Sequence, residues 1–375
     1  MKYEVVNFDD AFVIADVHLG VRNNSLAWHE NILDYFKNFL IPLIKKHKTN
    51  RSVLFILGDL FDDRKSVSID TMNLGADIVE EITSILPVYV ILGNHDMFKK
   101  SDGKINSLRM FEMCPNITII KEPTVFTKTI SRGIEADFLM LPHLGDVERE
   151  TNVVKDFCNQ FKEHFSKEYP GLVFAHTDIA GLKYDNNKNI NTGLQVNSKV
   201  PVKIYSGHIH KRQDTSKVVY VGSPYHLRRS DIGNEKGVYR IFFNEFKTKF
   251  YKNNHSPEFK RVFYDNIIDL PLKDIKKLLY NNYIDIIINE TDLNDLNVND
   301  LFQSLEYCQA KKIEIIVNRN IESSLEYDEE TFKELTLEEL IESNIEALSI
   351  DERAKKEILK LYSYYNNLVK EEFDL

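Results

Sequence analysis

Asp16-Val17-His18, Gly58-Asp59-Leu60-Phe61-Asp62, Gly93-Asn94-His95-Asp96, Ala175-His176-Thr177-Asp178 and Gly207-His208-Ile209-His210 gather carboxylate, imidazole and amide side chains at short spacings. On an extended backbone every second side chain points the same way, so Asp16 with His18, and His208 with His210, can aim at one centre. A glycine just before a ligand lets the chain turn without a Cβ clash. Oxygen and imidazole donors without thiolate suit manganese, iron, zinc or magnesium better than a structural zinc. Asp16, His18, Asp59, Asn94, His176, His208 and His210 are more donors than one ion takes. Two ions roughly 3.5–4 Å apart, bridged by one carboxylate, would use them all, clamp a phosphate and lower the pKa of a shared water. A lone histidine at a strand end is more often a hydrogen-bonded loop residue than a ligand, so the weight lies on the recurrence. His29, His47, His164, His226 and His255 lack such company and read as surface or packing residues. His143, in Leu141-Pro142-His143 after another apolar run, is a further candidate.

Such motifs need rigid supports. Residues 11–15, 53–57 and 88–92 are apolar runs without polar alternation, as in strands buried on both faces. Between them Ile32, Phe36, Phe39 and Leu40 recur at helical spacing after Ser25, and Met72, Ala76, Val79 and Ile82 after Ser68. Pro42 is expected to end or kink the first helix. Strand, helix, strand, helix, strand implies right-handed parallel crossovers in an α/β sheet. Each motif then falls at the carboxyl end of a strand, where open α/β sheets place ligands. Further strand-like runs at 117–120, 124–130, 136–141, 171–175, 202–206, 218–221 and 237–243 suffice for a second sheet packed on the first.

Near His255 to Pro257 the texture shifts to Asn, Asp, Lys and Ile, and the histidine-bearing glycine motifs stop. Residues 259–318 read as strand, helix, strand, helix, strand, a small α/β unit in which Ile284–Ile288 and Ile313–Val317 are the clearest strands. Asn318 to Glu330 is polar and acidic. Two helices follow, opened by capping boxes that pair Thr336 with Glu339 and Ser349 with Glu352. The expected division is 1–255, 256–320 and 321–375.

At 375 residues and 43% hydrophobic, the chain can bury one large core and one or two smaller ones. Cys114, Cys158 and Cys308 form no C-x-x-C pair, which argues against a disulfide framework or thiolate zinc and fits a reducing compartment. The N-terminus has neither basic head nor hydrophobic stretch, and no apolar run approaches bilayer length, so a cytoplasmic protein without a membrane partner is expected. The net charge of −10 argues against a DNA ligand, since duplex binders neutralise phosphates with a basic face. Bound cations would offset it, as would the clusters Arg22, Arg64-Lys65, Lys99-Lys100, Lys211-Arg212 and Arg228-Arg229, which read equally well as solvated surface.

In this order, D-x-H, G-D, G-N-H-D, H and G-H-x-H over residues 11–223 resemble the calcineurin-like metallophosphoesterase superfamily. The resemblance implies a two-sheet α-β-β-α sandwich. It also implies Asp16, His18, Asp59 and His210 as ligands of one divalent ion and Asp59, Asn94, His176 and His208 of a second, with Asp59 bridging. His95 would be the catalytic histidine that contacts the phosphate and helps protonate the leaving oxygen, oriented by Asp96. Gly58 to Asp62 followed by Arg64-Lys65, and Gly-Asn-His-Asp in place of the Gly-Asn-His-Glu of Ser/Thr phosphatases, are most similar to the SbcD and meiotic-recombination nuclease branch, above all its small phage-encoded subunits.

That branch implies manganese-dependent 3′ to 5′ exonuclease action on duplex DNA and endonuclease action on single strands. It further implies a DNA-holding cap at 256–320, tail helices that grip the coiled-coil root of an SMC-like (SbcC-type) ATPase, and room for a homodimer. Ala354, Ile358, Leu361, Tyr365 and Leu368 alternate spacings of four and three, a seam for such a partner or for packing on the chain's own domain. Two rival readings are a phosphoesterase acting on nucleotides or cyclic nucleotides, and a scaffold that keeps the fold without metals. The complete donor set disfavours the scaffold.

Overall fold

Alternating burial builds the two sheets. In the strand Asp10–Ile14, Phe12 and Ile14 enter one apolar cluster while Ala11 and Val13 enter another. In Ser52–Leu57, Leu54 and Ile56 join the first cluster, and Val53, Phe55 and Leu57 the second. Successive side chains point to opposite faces, so a strand apolar at every position must be covered on both. That cover is seen in the computed structural model, which describes residues 1–99, 102–130, 135–195, 201–289 and 307–318 with Leu305 and Lys355.

The first sheet runs Lys247–Lys252, Gly237–Phe242, Asp10–Ile14, Ser52–Leu57, Val88–Ile91, Ile117–Ile120. Its last four strands are parallel, and Gly237–Phe242 is antiparallel to both neighbours. The second runs Lys2–Val5, Thr124–Thr129, Glu135–Leu141, Gly171–His176, Val202–Gly207, Val218–Tyr220, Gln213–Asp214, with Glu135–Leu141 and the three strands after it parallel. Between the sheets Phe55 meets Phe174 edge-on at 5.0 Å and Phe138 stacks on Phe243 at 4.8 Å. Each such buried ring contributes roughly 1.5–3 kcal/mol of apolar burial. Helices Leu26–Tyr35 and Ile69–Thr83 cover the outer face of the first sheet, and Val147–Phe161 that of the second. This is the α-β-β-α sandwich expected above.

A third, parallel sheet of Phe259–Phe263, Tyr283–Asn289 and Lys312–Asn318 packs with helix Leu272–Leu279 around its own cluster of Val262, Ile284, Ile286, Ile288 and Leu279. It meets the sandwich through Trp28, which stacks on Tyr283 at 5.5 Å, and through Arg229, whose Nε donates to Asp285 at 2.8 Å.

Three details depart from expectation. Pro42 does not end the first helix: Leu26–Tyr35 passes through a wide turn, Phe36–Leu40, into Ile41–His47. Pro42 follows directly on the wide turn, whose looser winding lets the helix continue past a residue that has no N–H to donate. In Ile69–Thr83 the buried face is Thr71, Leu74, Gly75, Ile78, Val79 and Ile82, whereas Met72 and Ala76 are exposed. Lys2–Val5, exposed throughout, adds an edge strand where none is expected. Met1–Arg319 forms one compact unit. The capping boxes at Thr336 and Ser349 and the seam from Ala354 to Leu368 lie outside the described residues.

Candidate metal centre

Past Ile14 and Leu57 the chain keeps the two strands side by side for several residues. Asp16 N–H donates to Gly58 O at 3.1 Å, His18 N–H to Asp59 O at 3.1 Å and Leu19 N–H to Leu60 O at 2.8 Å. Along this stretch the backbone turns left-handed at Asp16 (φ 52°), His18 (φ 53°) and Asp59 (φ 51°), and His208 (φ 85°) does the same after Gly207. For residues with a Cβ this costs on the order of 1–2 kcal/mol each, strain that folds retain where a side chain must be re-aimed. Gly58 (φ 82°) has a second constraint, because a Cβ there would strike the His176 ring; one on Gly93 would strike the Asp59 carboxylate.

All the candidate residues converge. Asp16, His18 and His210 bring donor atoms within 4.8 Å of one another, as do Asp59, His176 and His208. His18 Nε2 lies 3.0 Å from His210 Nε2. Asp59 Oδ2 stands between the two groups, 3.3 Å from His176 Nε2 and 3.8 Å from His18 Nε2. Asn94 Oδ1 faces the second group, 3.0 Å from His176 Nε2 and 2.8 Å from His208 Nδ1. His176 turns its other nitrogen to Leu57 O at 2.7 Å, which fixes the ring. His95 sits beside the pair, its N–H donating to Asp59 Oδ1 at 2.8 Å and its ring 5.0 Å from that of His18.

The electrostatics favour a cation. Burial, with the neighbouring Asp59 charge, pushes the Asp16 carboxyl up to about 6. Burial also opposes ionisation of Asp59, yet His176 beside it holds that carboxyl well below the usual range. His176 is raised to about 10 against its own burial, chiefly by Asp59. Asp16 Oδ2 is buried without a hydrogen-bond partner among the described residues, and a buried carboxylate oxygen left so is costly unless a positive charge meets it. Oxygen and imidazole donors without thiolate, grouped on either side of one carboxylate, fit divalent ions.

Residues 11–212, which span all of these motifs, match the calcineurin-like phosphoesterase family. The chain belongs to that family. Similar proteins include exonuclease subunit 1 of Enterobacteria phage T4, 23% identical over 354 residues that make up 93% of this chain and 96% of that protein. A putative phosphoesterase of Invertebrate iridescent virus 3 is 24% identical over 216 residues, 56% of each chain. Another, of Invertebrate iridescent virus 6, is 19% identical over 237 residues, 62% of this chain and 75% of its own. Calcineurin-like metallophosphoesterases use divalent metals, and the clustered Asp and His side chains here could hold them.

Within this phosphoesterase centre one expected role changes. Asp96 does not orient His95: its two carboxylate oxygens accept the N–H groups of Gly93 (2.9 Å), Leu60 (3.0 Å) and Phe61 (3.2 Å), clamping two motif loops together. Burial, then the Asp59 charge, pushes it up to about 7. The His95 ring is instead held through Nδ1 by the Asp62 carbonyl. Asp62 also places Oδ1 2.9 Å from His18 Nδ1, a role unassigned from sequence although the residue closes the Gly-Asp-Leu-Phe-Asp motif. Arg228 Nη2 lies 2.6 Å from His210 Nδ1, and Asp178 Oδ1 3.4 Å from His208 Nε2. Of the other basic clusters, Arg212 is engaged with Glu235 and Tyr239, and Arg229 with Asp285. Among the described residues no helix is long and apolar enough to cross a membrane.

Proposed function

We propose that this chain is a two-metal DNA phosphodiesterase, with 3′ to 5′ exonuclease and single-strand endonuclease action, working as the nuclease subunit of a recombination and repair complex with an SMC-like coiled-coil ATPase. The observation that carries the reading is the convergence of Asp16, His18 and His210 with Asp59, Asn94, His176 and His208 on both sides of Asp59 Oδ2, beside His95. The likeness to a phage exonuclease subunit over nearly all of both chains supports the choice of DNA and of a complex.

In this reading Asp16, His18, Asp59 and His210 hold one ion and Asp59, Asn94, His176 and His208 the other, manganese first among the candidates. Two bound ions would neutralise phosphate oxygens and lower the pKa of an attacking water. The chain's own contribution is orientation and a proton. His95 donates Nδ1–H to the Asp62 carbonyl, which leaves Nε2 as the nitrogen for the substrate, and burial lowers the pKa of the imidazole. An anionic phosphate beside Nε2 favours the protonated ring, which then gives that proton to the departing sugar oxygen. Asp62 steadies His18 as well, so one loop sets both the ligand and the proton donor. The third sheet is assigned the DNA-holding role, and residues 321–375 the grip on the ATPase.

The pure chain incubated with end-labelled DNA should shorten it with manganese and leave it whole with a chelator. Turnover of bis-p-nitrophenyl phosphate without any cutting of DNA would overturn the nuclease reading in favour of a small-molecule phosphodiesterase. Removing residues 331–375 should abolish co-purification with the ATPase while manganese-dependent nicking persists; retained association would defeat the tail assignment.

A further inference from the structure

His143 is the histidine beside the centre that the proposed reaction leaves without a role. Its N–H donates to Leu92 O at 2.9 Å, which pins the Leu141-Pro142-His143 turn against the strand end that leads to Asn94 and His95. The ring stacks on His208, centroids 6.2 Å apart and planes 14° apart, and meets His176 edge-on at 6.3 Å. Nδ1 is turned inward, 3.3 Å from the His176 carbonyl and 3.4 Å from Glu150 Oε1. Glu150, fully buried, accepts the Leu144 N–H at 2.8 Å and the Thr177 hydroxyl, so the turn is braced from beneath.

The outer side of His143 borders a cavity of about 320 Å³ that is also lined by Met97, Lys104, Lys121, Glu122 and Arg149. That volume lies at the lower end of ligand sites, roughly 300–1,000 Å³. Met97, in its lining, begins the strand that directly follows the Gly93-Asn94-His95-Asp96 motif in the chain. Its charged lining is predominantly basic. The one acid, Glu122, is paired with Lys2 at 2.6 Å, and Lys121 is shared with Glu112. Arg149, exposed in the first turn of Val147–Phe161, has no ion-pair partner among the described residues.

We propose that this cavity is a subsite for a phosphodiester group of the strand being cut, next along the strand from the bond broken. Arg149 binds its oxygens, Lys104 and Lys121 supply the surrounding field, and His143 is the wall shared with the metal centre. A guanidinium fork matches a phosphate's oxygens better than an ammonium does, and the cavity shares His143, whose ring stacks on His208, with the metal centre, which suits a phosphate in the same chain. This inference rests on the nuclease reading above.

The test compares Arg149→Gln and Lys121→Gln with the unaltered chain, in manganese, on a trinucleotide and on bis-p-nitrophenyl phosphate, which has no second phosphate. For Arg149→Gln the loss in kcat/KM should be about tenfold larger on the trinucleotide than on the chromogenic diester, the size expected for one charge-assisted contact. The Lys121→Gln loss should be smaller but selective in the same direction. Binding of single-stranded DNA should also lose about one unit of salt slope in Arg149→Gln, a readout that a merely structural role does not move. Equal losses on both substrates, or none on either, with an unchanged slope would overturn the subsite while leaving the nuclease reading intact. An unaltered chain that turns over the chromogenic diester but cuts no nucleotide strand would overturn both.

Discussion

Asp59→Ala should release both divalent ions and reduce hydrolysis to background, because a single carboxylate serves two donor groups at once. Its Oδ2 lies within 4 Å of an imidazole from each, and its Oδ1 accepts the His95 N–H at 2.8 Å. Losing it therefore removes the shared negative charge and loosens the loop carrying the proton donor. Asp59→Asn keeps a hydrogen-bond acceptor of the same shape but not the charge, so it separates the two effects. It should retain the fold and the His95 loop while binding metal far more weakly. Metal content after dialysis against limiting manganese, read beside the rate on bis-p-nitrophenyl phosphate, checks both variants. A metal-replete, active Asp59→Ala chain would sink the two-ion assignment.

The sandwich was legible because its central strands are apolar at every position. A run such as Val-Leu-Phe-Ile-Leu at 53–57 has to be covered on both faces, and only stacked layers do that. The motifs were legible because each follows such a run, so the strand ends locate Asp16, Asp59, Asn94, His176 and His208 before any contact between them is known. Features without a burial signal were not legible. Lys2–Val5 is exposed at every position and owes its extended form to backbone pairing with Thr124–Thr129, which leaves no apolar pattern. In Ile69–Thr83 the spacing of Met72 and Ala76 fits a helix face as well as that of Leu74 and Ile78. Which face turns inward depends on the sheet beneath, and the sequence does not contain that choice locally.

The site shows the same division. Residue type and spacing nominate donors, but the partner of each remaining atom is a tertiary fact. Asp96 next to His95 invites an orienting role, yet its oxygens point back to three backbone N–H groups across the motif loops, while the carbonyl of Asp62, far off in sequence, takes the imidazole. Arg228 reads from sequence as one of several surface cations, and only the fold brings it to His210. The net charge of −10 likewise averages over a surface on which basic groups collect beside the centre.

His95→Ala should keep its metal and lose hydrolysis in proportion to how badly the leaving oxygen needs a proton. None of the seven proposed ligand side chains is removed, and the Asp59 carboxylate still accepts a backbone N–H from residue 95, so metal content should match that of the unaltered chain. On DNA the departing group is a sugar alkoxide, strongly basic, and loss of a positioned acid should cost roughly 10²–10⁴-fold. On bis-p-nitrophenyl phosphate the departing phenolate is stable without protonation, so the loss should be much smaller. The ratio of the two losses isolates proton donation from mere phosphate contact, which would slow both substrates alike. Asp62 holds the ring through its backbone carbonyl, which Asp62→Asn keeps, so this variant should shift that ratio far less than His95→Ala does, losing the carboxylate charge near the imidazole and the support of His18. Equal losses on DNA and on the chromogenic ester in His95→Ala would mean that His95 binds the phosphate without serving as the acid.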